Sequence, residues 1–186
     1  MVDIEALRVQ PELAGERVVM VQLGLDHIGG VWRALQDPDV LRFTGTHTKF
    51  TRERVEEWTG KLPGRADRAD RADYAILRAS DRAYVGDASL TELDEDNRTM
   101  SFRIALVEFG RGYGTEATRL ILDYAFDVVG LHRVTLEVFD FNTRAQRVYE
   151  KCGFVREGLQ REALYWDGRW HDTIDMAVLE GDSRLR

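Results

Sequence analysis

The spacing of apolar residues divides the chain into strands, helices and the turns between them. Val18 to Leu23 reads as a first strand. Asp26 can cap a helix reaching Gln36, with Ile28, Val31, Trp32 and Leu35 on its apolar face. Gly29-Gly30 weakens that helix by up to about 1 kcal/mol per glycine, and Pro38 ends it. Thr51 can cap a second helix, Arg52 to Leu62, in which Val55 and Trp58 are spaced to pack inward. Tyr74 to Arg78, Ala83 to Leu93 and Arg98 to Leu106 follow as strands, and the turn residues between them predict an antiparallel meander. In the last of these Met100, Phe102, Ile104 and Leu106 recur at every second position. Beyond it Ala117, Leu120, Ile121, Tyr124, Ala125 and Val128 recur at helical spacing, which predicts a helix from Thr115 to Val129 stopped by Gly130. Arg133 to Phe139 is the next strand. A strand-helix-strand order demands a crossover and parallel pairing of 98–106 with 133–139. Asn142 or Thr143 caps a helix to Lys151, and strands near Phe154 to Leu164 and Thr173 to Leu179 close the chain.

These elements predict the α/β (mixed α+β) class with a mixed sheet flanked by helices. Residues 1–186 make one domain, with 1–16 as a loosely held arm interrupted by Pro11 and Gly15, and 181–186 as a tail. The tripeptide Arg-Ala-Asp, three times over between residues 65 and 73, reads as a solvated loop or helix extension whose charges cancel locally.

Composition narrows the function classes. A 44% hydrophobic, 32% charged chain is that of a globular protein, and its net charge of -7 argues against nucleic acid as a main partner. No apolar run is long enough to span a bilayer and no signal peptide opens the sequence, so a cytoplasmic protein without a membrane partner is expected. The one cysteine, Cys152, excludes an internal disulfide, and no pair among His27, His47, His132 and His171 has metal-ligand spacing, so no metal is expected.

The chemistry concentrates between the strand at 98–106 and the strand at 133–139. Gly110, Gly112 and Gly114 stand at alternating positions in Gly110-Arg-Gly-Tyr-Gly-Thr-Glu-Ala117, where a strand gives way to a helix. Glycine permits left-handed backbone and close approach of N–H groups, and such a loop running into a helix N-terminus suits phosphate. A dinucleotide fold would need Gly-x-Gly-x-x-Gly in a first strand-turn-helix unit, and a nucleotide-triphosphate loop would need a lysine that this loop lacks. A tight turn that binds nothing explains one glycine better than three.

The loop resembles the acyl-CoA pyrophosphate loop of the GNAT N-acetyltransferases. Downstream, Asn142-Thr-Arg-Ala-Gln-Arg-Val-Tyr149-Glu-Lys-Cys-Gly153-Phe154 is similar to that superfamily's Asn-x-x-Ala-x-x-x-Tyr-x-x-x-Gly-Phe segment. Leu13-Ala-Gly-Glu-Arg-Val and Asp37-Pro-Asp-Val-Leu, with Arg156-Glu-Gly158 and Asp167-Gly-Arg in the tail, resemble the ribosomal-protein N-terminal acetyltransferase-like branch. The resemblance implies a mostly antiparallel seven-stranded sheet splayed between two parallel central strands, with acetyl-CoA as cosubstrate. It implies that Ile104, Ala105 and Leu106 bond the pantetheine arm, that Gly110, Arg111, Gly112, Tyr113, Gly114 and Thr115 cradle the pyrophosphate, and that Asn142 bonds the pantetheine amide. Phe109 stands where many members have Arg or Gln, so Arg111 is a candidate for the missing charge. In the family the tyrosine at 149 protonates the departing CoA thiolate, and Glu137 is the candidate base. A Tyr149 in the packing stripe, an Asn142 that only caps its helix and a Glu137 satisfied by Arg or water are the plain alternatives.

The activity implied is transfer of an acetyl group to a primary amine by direct attack on the thioester. A peptide N-terminus or small amine is favoured as acceptor over a polyamine or aminoglycoside, because the segments expected to shape the acceptor site, Arg42 to Trp58 and Leu164 to Asp172, carry few carboxylates. A non-catalytic acyl-CoA-binding regulatory module is the alternative from another class. Trp166 and Trp170 suit either the acceptor site or a homodimer contact, and Cys152 reads as a small buried hydrophobe.

Overall fold

The computed structural model describes residues 1–65 and 70–182. Eight strands form one sheet: β1 (Leu13–Ala14), β2 (Val18–Gln22), β3 (Ala72–Arg78), β4 (Tyr84–Asp94), β5 (Thr99–Leu106), β6 (Arg133–Phe139), β7 (Val155–Trp166) and β8 (Arg169–Leu179). Their order is β1-β2-β3-β4-β5-β6-β8-β7. All neighbours are antiparallel except β5 and β6, whose parallel register covers only Thr99↔Arg133, Met100↔Val134 and Ser101↔Thr135. The predicted meander and crossover are both present. The two-residue β1 makes eight strands where the resemblance implied seven.

The sheet separates two cores. On one face lie α1 (Ile4–Val9), α5 (Tyr113–Asp123), the π-helical turn Tyr124–Val128 and α6 (Thr143–Lys151). Ala117, Ile121 and Leu122 of α5 pack there with Met100, Phe102, Val134, Leu136 and Val138, the inward positions of β5 and β6. Each such fully buried aliphatic side chain contributes about 1.5–3 kcal/mol. On the other face α2 (Ile28–Ala34) and α4 (Arg52–Arg65) close a smaller cluster of Leu23, Val31, Val55, Leu62, Ala75 and Leu77.

Several local expectations need correction. The N-terminal arm is docked: Leu7 is fully buried, Asp3 N donates to Val129 O at 2.8 Å, and Tyr124 Oη donates to Ala6 O at 2.8 Å. A lone buried leucine in six helical residues was too weak a periodic signal. The helix predicted over 26–36 is a 3₁₀ turn, Leu25–His27, followed by α2. A further helix, α3 (Pro38–Thr44), follows at once; Asp37 caps it, accepting from Asp39 N at 2.8 Å, and Pro38 occupies its first position. Proline ends one helix and begins the next here, because a first-turn residue needs no N–H partner. Residues 66–69 of the Arg-Ala-Asp run lie outside the described residues. Its last triplet is not a solvated loop: Ala72 and Asp73 begin β3, and Asp73 is buried against Arg71, whose Nε donates to it at 2.6 Å. The last two strands extend into a hairpin through Asp167-Gly168, both at positive φ (49° and 80°), as a two-residue loop requires.

Gly86 sets the spacing of β4 and β5. It pairs with Leu106, and a Cβ there would come within 2.2 Å of Ala105 O and 3.0 Å of Leu106 Cα. Gly86→Ala therefore has to push two backbones apart. Urea denaturation is expected to show a loss of about 1–3 kcal/mol, and an unchanged midpoint would contradict this packing.

Candidate active site

The site begins where β5 and β6 part. Beyond Ser101 and Thr135 the two strands diverge, while β5 stays paired with β4 as far as Leu106 and β6 with β8 as far as Phe139. The side of β5 that faces the gap thus loses its ladder at Ile104, Ala105 and Leu106. Gln146 braces the diverging end of β6: its Nε2 donates to Phe139 O at 3.1 Å and to Asp140 O at 3.0 Å. Sequence reading missed this residue, which lies inside a motif but at one of its variable positions.

After β5 the chain turns through Gly110 (φ 77°) and Gly112 (φ 81°), and α5 starts at Tyr113 with Gly112 as its N-cap. Both dihedrals lie in the left-handed region, where any other residue is strained. The first N–H groups of α5 have no carbonyl within the helix to bond, which leaves them directed out of its end. Tyr113 is itself buried. Arg111 is turned towards Glu108, at 3.7 Å.

A cleft of about 560 Å³ runs through the gap, and every predicted site residue except Arg111 lines it. Asn142 caps α6, its Oδ1 accepting from Ala145 N at 3.2 Å, which leaves its Nδ2 group to donate into the cleft. Tyr149 is 7% exposed, between the rings of Phe102 and Phe154. Burial pushes its pKa upward, so the phenol keeps its proton and can only donate it. Glu137 projects to the opposite face of the sheet, where Gln160 Nε2 bridges it (3.2 Å) to Asp175 (2.7 Å). Cys152 is buried, its thiol pushed up to about 11 by that burial, which makes it no nucleophile at neutral pH.

On that opposite face a second cavity of about 770 Å³ lies beneath α2 and α4 and shares Val40, Thr44, Glu92, Arg103, Ile104 and Ala105 with the cleft. Residues of the 42–58 segment line it, whereas nothing from 164–172 lines either space. That second segment instead forms the β7–β8 hairpin, with His47 stacked on Trp166 at 4.8 Å and His171 held between Asp140 (3.1 Å) and Arg169 (3.1 Å). The unanticipated wall comes from strands. Asp87 accepts from Tyr84 Oη at 2.5 Å, and burial pushes its carboxyl up to about 6, with Asp73 adding to the rise and Arg103 opposing it. Glu92 sits at φ 60° in a bulge between Thr91 and Asp94 that turns its side chain to the junction of the two spaces. Single carboxylates on strands carry no motif, which is why they went unread. Among the described residues no group of three His, Cys, Asp or Glu could hold a metal, and no helix is long and apolar enough to cross a membrane.

Residues 17–155 match the model of the Acetyltransferase (GNAT) domain. The chain belongs to the GNAT acetyltransferase family. The protein named Probable N-acetyltransferase YjcK of Bacillus subtilis (strain 168) is 31% identical over 134 residues, 70% of this chain and 72% of that one. A spermidine N(1)-acetyltransferase of Vibrio cholerae is 30% identical over 107 residues, 56% of this chain and 62% of its own. The crystal structure of spermidine N-acetyltransferase from Vibrio cholerae in complex with CoA and spermine superposes with a TM-score of 0.81 over 92% of this chain and 99% of that one, at 21% identity. The chain is accordingly an enzyme, an N-acetyltransferase that moves an acetyl group from acetyl-CoA to an amine. Its own geometry fits that donor: the gap offers unpaired strand backbone, and the glycine loop offers N–H groups with no Cβ in the way.

Two outcomes follow from the acetyltransferase site. Gly112→Glu imposes a side chain at φ 81° and a negative charge beside the helix N-terminus, so calorimetric titration should detect no CoA binding; binding within threefold of wild type would contradict a phosphate site here. Asp87 binds its proton more tightly in the folded protein than an ordinary aspartate does, so its contribution to stability is present at low pH and lost as pH rises from about 4 to 6. Asp87→Asn should therefore gain on wild type by on the order of 2 kcal/mol between pH 4 and 7 in denaturation curves, and parallel curves would contradict the shift.

Proposed function

We propose that this acetyltransferase acts on a small primary amine that enters from the second cavity, with Glu137 taking the amine's proton and Tyr149 donating one to the departing CoA sulfur. The observation that carries the reading is the cleft itself. It crosses the sheet at the β5–β6 gap, with Tyr149 on the α6 side and Glu137 on the α2/α4 side. An acid and a base thus flank one opening from opposite faces. Bound acetyl-CoA supplies the activated thioester; Asn142 and the free edge of β5 orient it, and N–H groups of that edge suit an oxyanion at its carbonyl. Attack forms the C–N bond and breaks the C–S bond. The amine's proton goes to the carboxylate, and the thiolate receives the phenol's.

Between the two favoured acceptors, peptide N-termini and small amines, the second cavity supports the small amine. Asp70, Asp73, Asp87 and Glu92 place carboxylates on its wall, while Arg54, Arg71 and Arg103 limit the net negative charge. The same carboxylates support a second reading, a polycationic amine, in line with the relative named for spermidine.

Release of CoA thiol should be screened against small amines, spermidine and N-terminal peptides. The best small amine or polyamine is expected to exceed the best peptide at least tenfold in kcat/KM, a difference of about 1.4 kcal/mol, and the reverse order would overturn the assignment. Tyr149→Phe should lower kcat by roughly 10²-fold with CoA affinity retained, and Glu137→Gln should lower kcat/KM for the amine with CoA affinity likewise retained. Unchanged turnover in either variant takes that residue out of the mechanism.

A further inference from the structure

The glycine loop carries one positive charge of its own, on Arg111. Arg111 is turned to Glu108, and Arg78 is tied to Asp81 at 2.8 Å and also to Glu108. A different arginine reaches the loop from the far end of the sequence. Arg17 lies in the turn between β1 and β2, and its N–H donates to Glu116 Oε2 at 2.7 Å, beside those of Glu16 (3.1 Å) and Val18 (2.8 Å). Its carbonyl accepts from Ala79 N at 2.9 Å. Glu116 stands in the first turn of α5, so this anchor lays the Arg17 side chain along the loop: a Cβ on Gly112 would lie 3.4 Å from Arg17 Cδ and 3.6 Å from its Nε.

Glu116 raises a difficulty that the same contacts resolve. A carboxylate at the start of α5 would repel a phosphate arriving there. Its oxygens are taken up by three backbone N–H groups, and Arg17 Nη1 faces it at 3.8 Å. The guanidinium is 3.9 Å from Glu16 and 56% exposed. Both carboxylate contacts are longer than a hydrogen bond, so its donors are still to be used.

We propose that Arg17 binds the diphosphate of acetyl-CoA, adding side-chain charge to the cradle that the α5 amides begin. Gly112 is the N-cap of α5, and the side chain that covers it stands beside the N–H groups best placed for a diphosphate. Glu116 acts through Arg17 as a positioning residue. The inference rests on acetyl-CoA as donor and on nothing about the acceptor.

Calorimetric titration with CoA and with dephospho-CoA, which keeps the diphosphate and lacks the 3′-phosphate, needs no acceptor. Arg17→Gln is expected to weaken both ligands about tenfold at low salt, Arg17→Lys to recover part of the loss, and the gap between wild type and Arg17→Gln to narrow as salt rises. Affinities of Arg17→Gln within twofold of wild type for both ligands would overturn the proposal. A loss for CoA alone would put the contact at the 3′-phosphate and overturn the assignment to the diphosphate. Equal losses in the Gln and Lys variants would mark a packing role and overturn it too. Wild-type protein that binds neither ligand would instead refute the donor site as a whole.

Discussion

Everything at the site depends on the failure of β5 and β6 to stay paired. Three parallel residue pairs hold them together at one end, and each then follows its other neighbour, β5 with β4 and β6 with β8. An unpaired strand edge inside a protein is costly unless its polar groups find partners. Here the two edges are treated differently. Gln146, only 6% exposed, bonds the carbonyls at the end of β6, and Arg156 Nη2 donates to its Oε1 at 2.9 Å. The β5 edge opens on the cleft, where a ligand can use it. The gap is thus held open from one side and offered from the other.

Two kinds of construction meet across that gap. On the α5 side the binding surface is mostly backbone: the left-handed glycines, the helix N-terminus and the free edge of β5. On the α2/α4 side it is made of side chains on strands, Asp87, Ser89 and Arg103 among them, with Glu92 turned in by a bulge. A backbone surface recognises a common shape and charge and tolerates sequence change. A side-chain surface is rewritten by single substitutions.

The glycine loop and the helix caps were legible in the sequence because backbone chemistry leaves strong traces. Gly110 and Gly112 are glycine because their φ angles demand it, and Asn142 is where a helix needs a cap. The meander and the crossover were legible from periodicity and turn residues alone. The wall of the second cavity was not. Asp87 and Glu92 occupy strand positions where a carboxylate ordinarily faces solvent, and only the burial by α2 and α4 turns Asp87 into a wall residue. Arg17 leaves no such trace, since its place depends on Glu116, far along the chain. The arm was misjudged for the same reason: Leu7 and Asp3 gain their partners from residues near 124–129.

The bond from Glu16 N–H to the Glu116 carboxylate spans 100 residues of sequence. On a ribosome, at roughly 5–20 residues per second, the first two strands wait about 5–20 s for the carboxylate that will fix their turn. During that interval the N-terminal helix has neither Val129 nor Tyr124 to hold it. Leu7 and Met20, both wholly enclosed in the finished protein, are meanwhile exposed to water or to whatever chaperone meets the nascent chain. The half-built sheet is therefore open to misassembly until α5 and the residues just after it, as far as Val129, have emerged.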